Sequence, residues 1–226
     1  MSAAGPMDDN GPAHDAGGID PAEERLARGL RGRVLDTGPG AHPLASTAAR
    51  VLETLGHYDR ALYVAVARTS TPALDGPLRR LSHFANFSKP WFLAAGALAV
   101  FGGPTGRRAA FTGVAAIGAA SLVVNQPMKL IGDRQRPDRE GHEVPEPRWV
   151  KMPTSTSFPS GHSASAAAFA VAVGDVMPAL RVPLAAAAGT VAFSRVYTGV
   201  HYPGDVLVGV VTGALLGRLT SRLRQR

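Results

Sequence analysis

From Pro90 to the C-terminus, apolar runs of helix length alternate with short polar breaks. WFLAAGALAVFGG (91–103), AAFTGVAAIGAASLVVNQPM (109–128), SASAAAFAVAVGDVM (163–177), VPLAAAAGTVAF (182–193) and VLVGVVTGALLG (206–217) are five such runs. All are rich in small residues, chiefly Ala and Gly, which let helix backbones approach closely in lipid. The pattern predicts an all-α fold, a multi-pass transmembrane bundle of about five to six core helices. A comfortable span takes roughly 20 apolar residues and most of these runs are shorter, so a soluble core of Ala-rich helices competes with the membrane bundle.

The first half of the chain is more polar. Residues 1–20 are rich in Gly, Pro, Ala and Asp without hydrophobic periodicity, and are expected to be disordered. PAEERLARGLRGRVLD (21–36) sets Leu26, Leu30 and Val34 at helical spacing, and is expected to form at most a short basic helix in a solvated tail. With the linker TGPGAHP, residues 1–43 form a tail, and 44–226 form one domain. Helical pattern resumes at Leu44–Leu55. The apolar Leu62–Val66 stretch is too short to span and is expected to be interfacial or buried, and 72–88 reads as an amphipathic helix. The N-terminus has neither the basic start nor the apolar core of a secretory signal, so insertion is expected through internal segments.

The formal charge of +7 favours an acidic partner: nucleic acid, anionic lipid or a phosphorylated substrate. Its distribution decides among them. Arg107 and Arg108 follow the first apolar run, Arg181 the third, and Arg218, Arg222, Arg224 and Arg226 the fifth. Threading the runs so that these ends are cytoplasmic places 129–160 and 201–205 together on the extracytoplasmic face. Lys129, Arg134, Arg136, Arg139, Arg148 and Lys151 then face outward against the rule, which an anionic ligand would explain. A nucleic-acid partner is not expected, because the basic residues sit at helix ends with almost no interleaved aromatics.

Three polar clusters end these runs: KLIGDRQRP (129–137), FPSGHS (158–163) and SRVYTGVHYPGD (194–205). They offer Lys129, Arg136 and Arg195 as cations, Ser160 and the Gly161 amide as neutral donors, and His162 and His201 as titratable groups beside Asp205. Phosphoryl transfer is mostly positioning and stabilisation of spread negative charge, which guanidinium forks and the free amides of a helix start supply. The chain has no Cys, so it has no thiolate nucleophile, disulfide or Cys-ligated metal. A histidine is then the candidate nucleophile. His201 and Asp205 are four apart, so the carboxylate can hold one imidazole nitrogen while the other attacks phosphorus. His162 can protonate the departing oxygen, and the scheme needs no metal or cofactor.

Lys129 with Arg136-Pro137, then Pro159-Ser160-Gly161-His162, then Ser194-Arg195 with His201 and Asp205, resemble in order and gaps the tripartite signature of the type 2 phosphatidic acid phosphatase (PAP2) superfamily. The resemblance covers about residues 57–226. It implies an all-α fold of the PAP2/acid phosphatase type. It also implies that Lys129, Arg136, Ser160, Gly161 and Arg195 hold the phosphate, His162 is the general acid, His201 the nucleophile and Asp205 its orienting partner. Membrane members dephosphorylate lipid phosphates and polyprenyl diphosphates. The expected partners are therefore a lipid phosphate substrate and membrane lipids. Soluble acid phosphatases and vanadate haloperoxidases share the signature, and a non-catalytic phospholipid-binding membrane protein is a rival of another class.

Outside the clusters, Arg139, His142, Arg148 and Lys151 in the long polar loop are candidates for headgroup selection, against a merely solvated loop. Trp91 and Trp149 fit interface anchors. Asp133 and Arg134 read as a local surface pair.

Overall fold

The computed structural model describes residues 43–129 and 132–224. The expected tail, apart from Pro43, lies outside the described residues. Among those described there are seven α-helices and no strand: α1 (Pro43–Arg68), α2 (Pro72–Phe84), α3 (Lys89–Phe101), α4 (Gly103–Val123), α5 (Gly161–Val176), α6 (Arg181–Tyr197) and α7 (Pro203–Leu223). The five apolar runs are α3 to α7. Leu44–Leu55 and the short 62–66 stretch belong to a single 26-residue helix, α1. By compactness the chain divides within α1, into Met1–Leu55 and Gly56–Arg226, and everything described below belongs to the second unit.

α5 sits at the centre and packs against α4, α6 and α7. It has no polar face: Ala164, Ala166, Ala168, Phe169, Ala172 and Val173 are all buried, as expected of a helix surrounded by others. Its contact with α7 is made by two stripes of small residues. A methyl group added at Gly209, Gly213 or Gly217 would lie 2.5, 2.1 or 2.5 Å from the carbonyl oxygens of Ser160, Ala164 and Ala168 respectively. Only glycine lets the two backbones meet at this distance, and the stripe starts at Ser160. Close packing of α7 on α5 therefore sets FPSGH beside the start of α7, where Asp205 lies.

The opposite side of α7 is a different surface. Leu207, Val211, Leu215, Leu219 and Leu223 recur every fourth residue and are at least half exposed. Phe92, Leu93 and Val100 on α3 and Phe111 and Leu122 on α4 are exposed too. Two helical stretches, Gly103–Met128 and Pro203–Leu223, are long and apolar enough to cross a membrane, with only 44% and 22% of their most apolar windows buried.

The far end of α5 is basic. Asp175 accepts from Arg218 Nη1 at 2.5 Å and Ser221 Oγ at 2.6 Å, with Arg181 Nη2 at 3.5 Å. Arg107 and Arg108 occupy the matching end of α4, about 30 Å of helix away from Lys129. The long loop after α4 is anchored by Arg148, which is fully buried. Its guanidinium donates to Asp75 Oδ1 at 2.8 Å and to the Val66, Ala67 and Thr69 carbonyls at 3.1, 3.2 and 2.6 Å, closing the end of α1. Trp91 is also internal, packed on Phe169 with ring centroids 5.6 Å apart, so it is a core residue and not an interface anchor.

Candidate active site

The three clusters converge on one cavity of about 730 Å³. Lys129, Arg136, Gly161, His162 and His201 line it, together with Asn86, Ser121, Asn125, Lys151 and Ser155. Ser160, Arg195 and Asp205 are buried behind this lining.

His201 reaches the cavity because the chain turns sharply after α6. Gly199 has φ of +69°, and an added methyl there would meet Arg139 Cγ at 2.9 Å and the Tyr63 hydroxyl at 3.0 Å. The Val200 and His201 amides both donate to the Arg195 carbonyl at 3.2 Å. Arg136 Nη1 donates to the Val200 carbonyl at 2.7 Å and lies 3.3 Å from His201 Nε2. A guanidinium can only donate, so Nε2 is the unprotonated nitrogen and Nδ1 carries the hydrogen. Nδ1 faces Asp205 Oδ2 at 3.5 Å, an ion-pair separation that is long for a hydrogen bond. Burial, then the charges of Arg136 and Arg195, push His201 down to about 4 against the opposing pull of Asp205. The imidazole is neutral at physiological pH, with its lone pair on the cavity side.

Asp205 is held by four donors. Its carboxylate accepts from Ser157 Oγ in a short contact, from the Tyr202 amide at 2.9 Å and from Arg134 Nη1 at 2.9 Å. Its backbone carbonyl accepts from the Ser160 amide at 3.0 Å, which ties the second cluster to the third. Arg134 continues to Asp59, through Nη2 at 2.6 Å, and Asp59 also accepts from the Gly204 amide at 2.6 Å. Arg134 is therefore not a surface partner of Asp133 but a bridge between two carboxylates.

Lys129 and Arg136, the cavity cations of the first cluster, are tethered to the long loop. Lys129 Nζ donates to Ser155 Oγ at 2.7 Å, and Arg136 Nε to the Ser155 carbonyl at 2.8 Å. Burial and the nearby Arg136 lower the Lys129 pKa. Lys129 follows a wide π-type turn, Val124–Met128, that ends α4. Ser160 caps α5; Ser163 Oγ donates to Ser160 Oγ at 2.9 Å, which leaves the Ser160 hydroxyl hydrogen and the first-turn amides of Gly161 and His162 as donors. Arg195 is anchored to Ser82 by Nη1, at 2.6 Å to Oγ and 3.1 Å to the carbonyl, and its Nε is a buried donor without a protein partner.

The PAP2 superfamily model matches residues 110–226. The chain belongs to the PAP2 superfamily. It is 35% identical over 178 residues to decaprenylphosphoryl-5-phosphoribose phosphatase of Mycobacterium tuberculosis, covering 74% of this chain and 92% of that one. Its fold is similar to the crystal structure of the first transmembrane PAP2 type phosphatidylglycerolphosphate phosphatase from Bacillus subtilis, with a TM-score of 0.61, 23% identity, and 88% of this chain and 95% of that one covered. Aquifex aeolicus LpxE is similar at a TM-score of 0.58 and 23% identity, over 72% of this chain and 93% of that one. The protein is a PAP2-type phosphatase with an all-α fold.

Of the four loop residues considered for headgroup selection, Lys151 alone lines the cavity of this PAP2 protein. Arg148 is structural, as described above. Arg139 is buried, with Nη1 donating to the Val150 carbonyl at 2.9 Å, and His142 bonds the Asp138 carbonyl at 2.6 Å and stacks edge-on against Tyr63. Ser82, Asn86, Ser155, Ser157 and Asp59 support the site without a motif to mark them. Ser155 and Ser157 stand just before FPSGH and could have been suspected. Ser82, Asn86 and Asp59 come from the first 90 residues and only the fold brings them near.

Proposed function

We propose that this protein removes a phosphate group from a lipid-linked phosphate monoester, through a phosphohistidine on His201. The alignment of Arg136 and His201 on the cavity wall with Asp205 buried behind them carries this reading. It leaves Nε2 as a lone pair facing the cavity, with Nδ1–H directed to a carboxylate. An arriving phosphate replaces Nε2 as an acceptor for Arg136, and the His201–Asp205 pair shortens as charge develops on the ring.

In the first step the Nε2 lone pair attacks phosphorus, the bond from phosphorus to the lipid-side oxygen breaks, and that oxygen takes the Nδ1 proton of His162, whose ring enters the step doubly protonated beside the bound phosphate anion. Lys129, Arg136, Arg195, the Ser160 hydroxyl and the Gly161 amide hold the phosphoryl oxygens. In the second step water attacks the phosphohistidine and yields its proton to His162, and the P–N bond breaks to release phosphate. Lys129, Arg136 and Arg195 meet the charge, so the scheme runs without a metal.

The exposed apolar faces of α3, α4 and α7 support membrane insertion with several spans, since contiguous apolar surface of this extent is unfavourable in water. Arg107, Arg108, Arg181 and Arg218 gather at the helix ends opposite the site, so the positive-inside rule favours an extracytoplasmic cavity. The relative named for decaprenylphosphoryl-5-phosphoribose supports a phosphorylated, polyprenyl-linked sugar as substrate. Released phosphate is to be measured from purified protein given such a lipid, phosphatidic acid, phosphatidylglycerol phosphate and polyprenyl diphosphates, with and without EDTA. Release chiefly from the phosphosugar lipid, unaffected by EDTA, is expected. Preference for another lipid overturns the substrate, and full loss with EDTA overturns the metal-free mechanism.

A further inference from the structure

We infer that Asn86 is the positioning residue for His162, doing for the acid what Asp205 does for the nucleophile. The inference rests on the reading of His162 as general acid. Asn86 Oδ1 lies 2.9 Å from His162 Nε2. An amide oxygen can only accept, so Nε2 carries a hydrogen directed at Asn86, and the ring is turned so that Nδ1 is the nitrogen left to face a substrate. Asn86 lines the same cavity as His162.

The turn that presents Asn86 is firmly set. Ala85 is buried in the core beside Trp91. The Ser88 amide donates to the Ala85 carbonyl at 3.2 Å, and Phe87 and Ser88 both adopt φ of +57°, a left-handed conformation that non-glycine residues keep only where their surroundings impose it. One helical turn earlier, Ser82 holds Arg195. The end of α2 and the turn after it thus brace a residue from each of two clusters. This segment precedes residues 110–226, the part matched by the family model.

A carbonyl partner suits an acid. It fixes the ring and stabilises the N–H, yet adds no full negative charge that would keep the proton from leaving. The charged or titratable groups facing His162 are Lys129, Arg136, Arg195 and His201, with Asp205 behind His201; burial and then these cations push the His162 pKa down to about 2, so the acid form is populated only when a bound phosphate brings compensating negative charge. An aspartate at position 86 would add an anion beside an otherwise cationic ring environment and make His162 a weaker acid.

The test is kcat/KM in detergent for wild type, Asn86→Ala, Asn86→Asp and His162→Ala, on an alkyl phosphate monoester and on p-nitrophenyl phosphate. The alkoxide needs a proton to leave and the nitrophenolate does not. His162→Ala is expected to cost about 10²–10⁴-fold on the alkyl substrate, and Asn86→Ala a part of that loss in the same selective pattern. Asn86→Asp should recover most of the alkyl rate, with the basic limb of its pH profile moved upward. Equal losses on both substrates, or none on either, in Asn86→Ala protein of wild-type thermal stability overturn the inference, and the unshifted limb in Asn86→Asp does so independently. If His162→Ala itself shows no leaving-group selectivity, the reading of His162 as acid fails instead.

Discussion

Arg134 donates to Asp205 at 2.9 Å from a position between that carboxylate and Asp59. Asp205 is fully buried and is also the partner of His201, so the pairing fixes the carboxylate that orients the proposed nucleophile. Arg134 lies inside the first cluster yet works on the third, from the side away from the cavity.

Arg134→Ala is therefore expected to lower kcat by about tenfold or more with little change in KM, because the carboxylate loses a charged donor that fixes its direction. Arg134→Lys should restore only part of this, since an ammonium cannot fork to two carboxylates. Steady-state kinetics on the two variants checks it; a loss confined to KM would contradict the positioning role.

The pH profile follows from His201. Only the neutral ring can attack, and burial with the adjacent guanidinium groups sets its pKa at about 4. The acid limb of kcat/KM is thus expected near pH 4, well below the ordinary histidine range. Arg136→Met removes a repelling charge, so the limb should move upward toward pH 6.5 while the rate itself falls. A wild-type limb near 6.5 would show that His201 is not held neutral by its surroundings.

Gly213 faces the Ala164 carbonyl with no room for a methyl group. Gly213→Ala is expected to push α7 off α5 and lower stability by about 1–3 kcal/mol, with activity falling because the same packing joins Ser160 to Asp205. Thermal unfolding in detergent reads the first effect. Gly118, where nothing lies within 4 Å of an added methyl, is the control, and Gly118→Ala should leave the rate unchanged and stability equal or raised by up to about 1 kcal/mol.

Lys151 and Arg148 are three residues apart and should behave in opposite ways. Lys151→Ala removes a cation from the cavity wall and is expected to raise KM for an anionic lipid by about tenfold at unchanged stability. Arg148→Ala strips the end of α1 and Asp75 of their buried partner, with an expected loss of about 3–5 kcal/mol. Equal thermal stability of the two variants would contradict this division.

These contrasts mark what the sequence could carry. The five apolar runs match α3 to α7, because a helix buried or bathed in lipid must be apolar along its length. The three motif clusters likewise meet on one cavity, since each adjoins a helix terminus on the same side. The joining of 44–55 with 62–66 into α1 was not legible: Arg60 and Asp59 interrupt the apolar pattern, and Asp59 is there to meet Arg134 and Gly204. Arg148 reads from sequence as either a headgroup contact or a solvated side chain, because a cation in a polar loop gives no sign of being buried. Its partners, Asp75 and the carbonyls of Val66 and Ala67 in α1, lie 73 to 82 residues away in sequence. Asn86 and Ser82 escaped for the same reason, having no motif of their own and acting through contacts made only in the fold.

The reading of His201 as nucleophile is tested most directly by trapping the phosphoenzyme. Protein quenched in alkali during turnover, then digested and examined by mass spectrometry, should carry one phosphoryl group on the peptide containing His201, labile to acid and absent from His201→Ala protein. Turnover without any labelled peptide under conditions where the second step is slowed, or a phosphoryl group on another residue, would contradict it.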